Sequence, residues 1–103
     1  MTYEILVGLN VIDDLKYQNY RSAMKPILSE YGGDFGYDFK VSEVLLSETT
    51  NEINRVFTIH FPEHSKMEDF FSNSEYLKVK KKYFESSVKS TTIISSYTKT
   101  HNN

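Results

Sequence analysis

The chain has 103 residues, of which 39% are apolar and 25% charged, and it carries a formal net charge of −2. That length holds one hydrophobic core, and folding at this size buries roughly two-thirds of the surface of the unfolded chain. The weakly acidic balance offers no long-range field for nucleic acid or anionic membrane, and the lack of cysteine excludes a disulfide framework and thiolate chemistry.

Tyr3 to Asn10 reads as a strand, with Tyr3, Ile5, Val7 and Leu9 on one face and Glu4, Leu6 and Gly8 on the other. A helix follows, capped by Asp13 or Asp14, in which Tyr17, Tyr20, Met24, Ile27/Leu28 and Tyr31 recur at three-to-four spacing. Pro26 removes one helical amide and predicts a bend there, and Gly32-Gly33 ends the helix through a left-handed cap. Asp34 to Leu46 reads as a second strand interrupted near Lys40 to Glu43, with Phe35, Tyr37, Phe39 and Val41 alternating before Val44-Leu45-Leu46. Ser47 to Asn54 is turn-like. Arg55 to Phe61 alternates cleanly, Val56, Thr58 and His60 against Phe57, Ile59 and Phe61, and Pro62 stops it.

Ser65-Lys66-Met67-Glu68 has the form of a capping box opening a short helix with Met67, Phe70 and Phe71. Ser72-Asn73-Ser74 interrupts it. A second piece from Glu75 to about Ser86 turns Tyr76, Val79, Tyr83 and Phe84 inward, with Lys78, Lys80, Lys81 and Lys82 as a solvated face. Thr91 to Thr98 reads as the last strand, and Thr100 to Asn103 as a fraying end.

Strand, helix, strand, strand, helix, strand is the βαββαβ order of a ferredoxin-like α+β fold, here one domain over residues 1–103. Right-handed crossovers place both helices on one face of a four-stranded antiparallel sheet. The other face then needs a cover, because Phe35, Tyr37 and Phe39 would expose an apolar patch of a kind that monomers rarely carry. A twofold mate supplies one, so the expected partner is a second copy of the chain.

The segments Leu15-Lys16-Tyr17-Gln18-Asn19-Tyr20-Arg21, Tyr31-Gly32-Gly33, Arg55-Val56-Phe57-Thr58-Ile59-His60-Phe61-Pro62 and Phe70-Phe71-Ser72-Asn73-Ser74-Glu75-Tyr76 fall in this order along the chain. Together they resemble the family known as domain of unknown function 1330, over Tyr3 to about Tyr97. The resemblance implies a dimeric α/β barrel, two ferredoxin-like subunits whose sheets close on each other. The wider superfamily holds small oxygenases, isomerases, haem-handling enzymes and stress-response proteins, while this family has no settled activity. Its members often carry basic residues and a glycine pair in the second strand, where this chain has Asp34, Asp38 and Phe39, so no anion-binding role is carried over to those positions.

His60-Phe61-Pro62-Glu63-His64 spells H-x-x-E-H, a zinc-peptidase spacing. That chemistry needs both histidines one turn apart on a helix, which Pro62 and the strand leading into it forbid, so no metal is expected and His60 should face the mixed side of the sheet. Gly33-Asp34-Phe35-Gly36-Tyr37-Asp38-Phe39 echoes an RNA-recognition signature, yet it carries carboxylates where that motif carries cations. Two carboxylates beside a phosphate chain repel it, so no nucleic-acid partner is expected. Asp13-Asp14 fits a helix start better than acid–base work.

The composition, 8 Tyr and 7 Phe without Trp, suits half-wet pockets and interfaces as well as core packing. Tyr17, Tyr20 and Arg21 on the first helix, with Phe71 and Tyr76 on the second, are the candidates to line a cleft between helices and sheet; Arg21 could equally pair with a carboxylate on its own helix or across a dimer. Two functional readings follow. One is a homodimeric module binding a small apolar or aromatic metabolite in that cleft. The other, resting on the resemblance, is a cofactor-free oxygenase or isomerase with His60 or Tyr20 as proton carrier. No cofactor is expected in either. Met1 to Gly8 lacks the basic and apolar regions of a signal peptide, and no apolar run approaches the roughly 20 residues of a membrane span. A cytoplasmic protein is expected.

Overall fold

In the computed structural model, which describes residues 1–100, alternation within the strands decides what lies under the helices. β1 (Thr2–Val11) pairs antiparallel with β3 (Arg55–Phe61) on one side and β4 (Val88–Lys99) on the other, and β2 (Asp34–Lys40) lies outside β3. The order β2-β3-β1-β4 is the ferredoxin-like arrangement that the strand–helix sequence predicts. Ile5, Val7 and Leu9 on β1 and Phe57, Ile59 and Phe61 on β3 are all buried on the helix side. Glu4, Thr58 and His60 alternate with them and therefore lie on the uncovered face.

The first helix, α1 (Asp14–Glu30), is capped by Asp13, whose Oδ1 accepts from the Lys16 amide at 2.9 Å. It runs through Pro26 as one helix and turns Tyr17, Tyr20, Arg21, Met24 and Leu28 inward. Its end is a Schellman turn: the Gly33 amide bonds the Leu28 carbonyl at 3.0 Å and the Gly32 amide bonds that of Ser29 at 3.0 Å. Gly32 sits at φ 73°, and a Cβ there would meet Pro62 Cγ at 2.7 Å, so this turn requires glycine twice over.

The second helical layer departs from expectation in two places. α2 (His64–Ser72) opens at Glu63 without a side-chain cap, so Ser65 lies inside the first turn and the capping box does not form. The extended backbone after Pro62 starts the helix two residues early, and His64 pairs with Glu68 at 3.3 Å instead. Asn73 then closes α2 and opens α3 (Ser74–Val79), its Oδ1 accepting from the Tyr76 amide while its Nδ2 donates to the Tyr31 hydroxyl, both at 2.9 Å. The helix does not continue evenly: Lys80–Phe84 forms one wider π turn before the short α4 (Glu85–Ser87). That extra residue lets both Tyr83 and Phe84 pack partly against the core.

The second strand is shorter than its alternation suggests. β2 ends at Lys40, the Val41 amide bonds the Asn54 carbonyl at 2.9 Å, and the intervening residues form a loop. Val44, Leu45 and Leu46 therefore lie in that loop and not in a strand, with Leu46 92% exposed. Apolar β-formers do not make a strand where no neighbour offers a ladder. Inside β2 a bulge between Phe35 and Asp38 breaks the alternation. Phe35 packs on the Phe57 ring under the helices, while Tyr37 and Phe39 stack on each other in the open. The last strand is longer than expected, and the final residues of the expected frayed end, 101–103, lie outside the described residues.

Candidate functional site

Between α1, the α2–α3 layer and the sheet lies a cavity of about 330 Å³, near the lower end of the range typical of small-molecule sites. Ile5, Val7, Leu9, Phe57 and Ile59 form its floor and Thr91 and Ile93 on β4 its margin. Tyr17, Tyr20, Arg21, Phe71 and Tyr76, the five residues that helical spacing picks out, all line it. α1 brings the first three because 17, 20, 21 and 24 occupy one face. Phe71 comes from the last turn of α2, and the Asn73 joint swings Tyr76 back over the same space.

The walls are an aromatic lattice. Tyr20 lies 4.9 Å from Phe84 and 6.3 Å from Tyr76, and Phe71 stands edge-on to Tyr76 at 5.5 Å. Its polar groups are few. The Tyr20 and Tyr76 hydroxyls bond each other at 2.9 Å, and the Tyr17 hydroxyl accepts from Arg21 Nε at 2.8 Å. Burial, reinforced by the neighbouring Tyr76, pushes the Tyr20 phenol far above its ordinary range; burial likewise raises Tyr17 and Tyr76. Near neutrality these phenols are hydrogen-bond donors and not bases.

Arg21 is only 7% exposed. Its guanidinium carbon lies 3.9 Å from the Phe35 ring centre, 4.8 Å from Phe57 and 5.2 Å from Tyr17. Its carboxylate partner in this chain is not on its own helix: Nη1 reaches Asp38 Oδ2 at 3.2 Å on β2. Arg55 holds the same carboxylate more tightly, at 2.7 and 2.8 Å. The Arg55 hydrogen bonds, with the charge of Arg21, keep the Asp38 carboxyl below its ordinary value despite partial burial.

His60 is not in this cavity. It pairs with Glu4 on β1 and Asp34 on β2 across the uncovered face, so the sheet separates it from Tyr20 and the two cannot share a proton. His64 belongs to α2, so the two histidines of the H-x-x-E-H stretch do not share a helix. The uncovered face has a polar centre of its own: Glu4, 5% exposed, accepts from the Tyr97 hydroxyl at 2.5 Å and lies 3.6 Å from Lys99 Nζ. Among the described residues no three acidic, histidine or cysteine side chains cluster as metal ligands, and no helix is long and apolar enough to cross a membrane.

Helical spacing does not bring out Asp38, Arg55 or Ile93, and it turns Phe84 inward without assigning it to the cleft. Charge complementarity across the β2–β3 hairpin was the available signal for Asp38 and Arg55, while Phe84 depends on the π turn, which has no sequence period of its own.

Solved structures with this fold include a protein of unknown function, RPA0582, from Rhodopseudomonas palustris, with a TM-score of 0.77 at 14% identity over 90% of this chain and 78% of that one. A ferredoxin-like dabb family protein from Mesorhizobium loti matches with a TM-score of 0.67 at 12% identity, covering 96% of this chain and 97% of its own. SnoaB, a cofactor-independent oxygenase from Streptomyces nogalater, matches with a TM-score of 0.58 at 9% identity, covering 98% and 93%. At such identities the likeness is one of fold alone. No curated protein sequence matches the chain. The family profile covers residues 2–97, nearly the whole chain, and the protein belongs to the DUF1330 family, a domain of unknown function.

Proposed function

We propose that the chain acts as one domain which pairs with a second copy of itself and binds a small aromatic or apolar metabolite in the cavity between helices and sheet. The observation that carries the binding reading is the cavity itself, an aromatic-walled space of about 330 Å³. The space stays open past the exposed Ile93 and Phe71, which gives an apolar ligand a way in. Pairing is supported by the uncovered face, where Tyr37 and Phe39 stack in the open beside a sheet shielded on its other side only. A cytoplasmic setting agrees with the cysteine-free composition.

Thermal-shift screening of a metabolite library tests the binding reading, with wild type set against Ile93→Trp, which fills the cavity from its margin. Aromatic compounds should raise the wild-type midpoint and leave that of Ile93→Trp unmoved. A library without hits, or hits that survive the tryptophan, would count against it. Sedimentation tests pairing: the expected particle has twice the 12.0 kDa chain mass, and a particle of single-chain mass contradicts it.

The enzymatic alternative, with His60 or Tyr20 as proton carrier, keeps Tyr20 as the candidate that lines the cavity. With its phenol held neutral, Tyr20 would donate a proton to a bound intermediate. Turnover of any ligand found in the screen, lost in Tyr20→Phe, would favour this reading.

A further inference from the structure

A hydrogen-bond census of the cavity wall shows what kind of ligand it accepts. The polar side chains lining it are Tyr17, Tyr20, Tyr76, Thr91 and Arg21, and a carboxylate or an imidazole is not among them. The Tyr17 oxygen already accepts from Arg21, and its own proton has no acceptor among the described residues. In the Tyr20–Tyr76 pair one hydroxyl donates to the other, so one further proton is left there without an acceptor among the described residues. A guanidinium carries five donors; Arg21 commits one N–H to Tyr17 and one from each terminal nitrogen to Asp38, which leaves two over. Each of these buried atoms keeps one partner, and the protons left over are donors that a group supplying acceptors engages together.

Charge points the same way. Two guanidiniums share the Asp38 carboxylate, and Arg55 has the better part of it: its contacts are 2.7 and 2.8 Å, against 3.2 and 3.5 Å for Arg21. Asp14, the other carboxylate whose charge reaches Arg55, is exposed at the start of α1 and screened by water. Arg21 is therefore the under-compensated cation, buried, stacked between rings and set in the cavity wall.

We infer that the cavity takes a one- or two-ring aromatic compound bearing an anionic oxygen, a carboxylate or an ionised enol or phenol, with that oxygen held by Arg21 and the tyrosine hydroxyls and the ring among Phe71, Phe84 and Ile59. This deepens the binding reading above and rests on it. A short contact to the guanidinium is a charge-assisted bond, stronger than a neutral one, and the surrounding rings reject a charged group anywhere else in the space.

Calorimetric titration at neutral pH and low salt tests the inference with three probes on one ring system: 2-naphthoate, naphthalen-2-ylmethanol and naphthalen-2-ylmethylammonium. The anion should bind at least about tenfold more tightly than the alcohol, and the cation most weakly. Arg21→Met, checked for native fold by circular dichroism, should bring naphthoate close to the alcohol. Asp38→Asn, which removes the competing carboxylate, should widen the gap, and it decides the matter if Arg21→Met does not fold. Equal binding of the three probes, a preference that survives in folded Arg21→Met, or a gap that narrows in Asp38→Asn overturns the anion assignment and leaves the binding reading standing. If none of the three binds, both fall.

Discussion

The two faces of the sheet solve opposite problems with the same four strands. Under the helices the strands contribute Ile5, Val7, Leu9, Phe57, Ile59 and Phe61, and the cavity's lining side chains include neutral phenols and a single guanidinium. On the uncovered face the alternate residues of the same strands are Glu4, Thr58 and His60, with Tyr97 from β4. A buried carboxylate survives there because Tyr97 and Lys99 serve it. Alternation thus does more than separate inside from outside: along β1 and the later part of β3 it places apolar walls on one side and Glu4 and His60 on the other, so one strand can serve two environments.

The sharpest way to break this contrast is on the covered side. Phe61→Ala removes a fully buried ring between the sheet and Phe70, and should cost about 3–5 kcal/mol in urea unfolding. A cost under about 1 kcal/mol would mean that the covered side is not the stabilising one.

Asp38→Asn comes next. It weakens the link between β2 and α1 and leaves Arg21 poorly compensated, for an expected loss of about 1–3 kcal/mol. The folded-state value of this carboxyl lies below the unfolded one, so its contribution is present above the ordinary carboxylate value of 3.8 and fades as pH falls through the folded value. Unfolding free energies of wild type and variant should therefore converge as acid is added. Curves that stay parallel would show that Asp38 does not act through its charge.

On the uncovered face, Tyr97→Phe removes one hydroxyl donor to a buried carboxylate and should cost about 0.5–1.5 kcal/mol. The bond to Glu4 raises the Tyr97 phenol above its ordinary value, so the stabilisation is complete below pH 10 and is lost as pH rises through the folded value. An alkaline loss of stability that is present in wild type and absent in Tyr97→Phe is the expected signature. The smallest effect belongs to the loop: Leu46→Ser should change stability by no more than about 0.5 kcal/mol, because the side chain is 92% exposed. A larger loss would show that something covers the loop.

Much of this was legible in the residues. The clean alternation of Arg55 to Phe61 and its stop at Pro62 locate β3 to the residue, Gly32-Gly33 marks a real Schellman turn, and helical spacing gathers five side chains that share one cavity. What escaped depends on partners distant in sequence. Val44-Leu45-Leu46 has the composition of a strand but no ladder to join. The β2 bulge sends Phe35 and Tyr37 to different sides, which an alternating pattern assigns to the same one. Residue spacing shows which side chains share a helix face, but a void between two layers depends on how both are filled, and no single segment encodes that.

The two outer strands share a defect with a protective effect. The pairing of β2 with β3 slips between Phe35 and Asp38, and that of β4 with β1 slips between Leu6 and Val7 and again between Asn10 and Val11. A stray strand docking on either rim would have to reproduce these mismatches to continue the hydrogen-bonded ladder. Runaway edge-to-edge polymerisation, the usual hazard of an open β-sheet, is therefore checked at both margins by irregularities in the backbone.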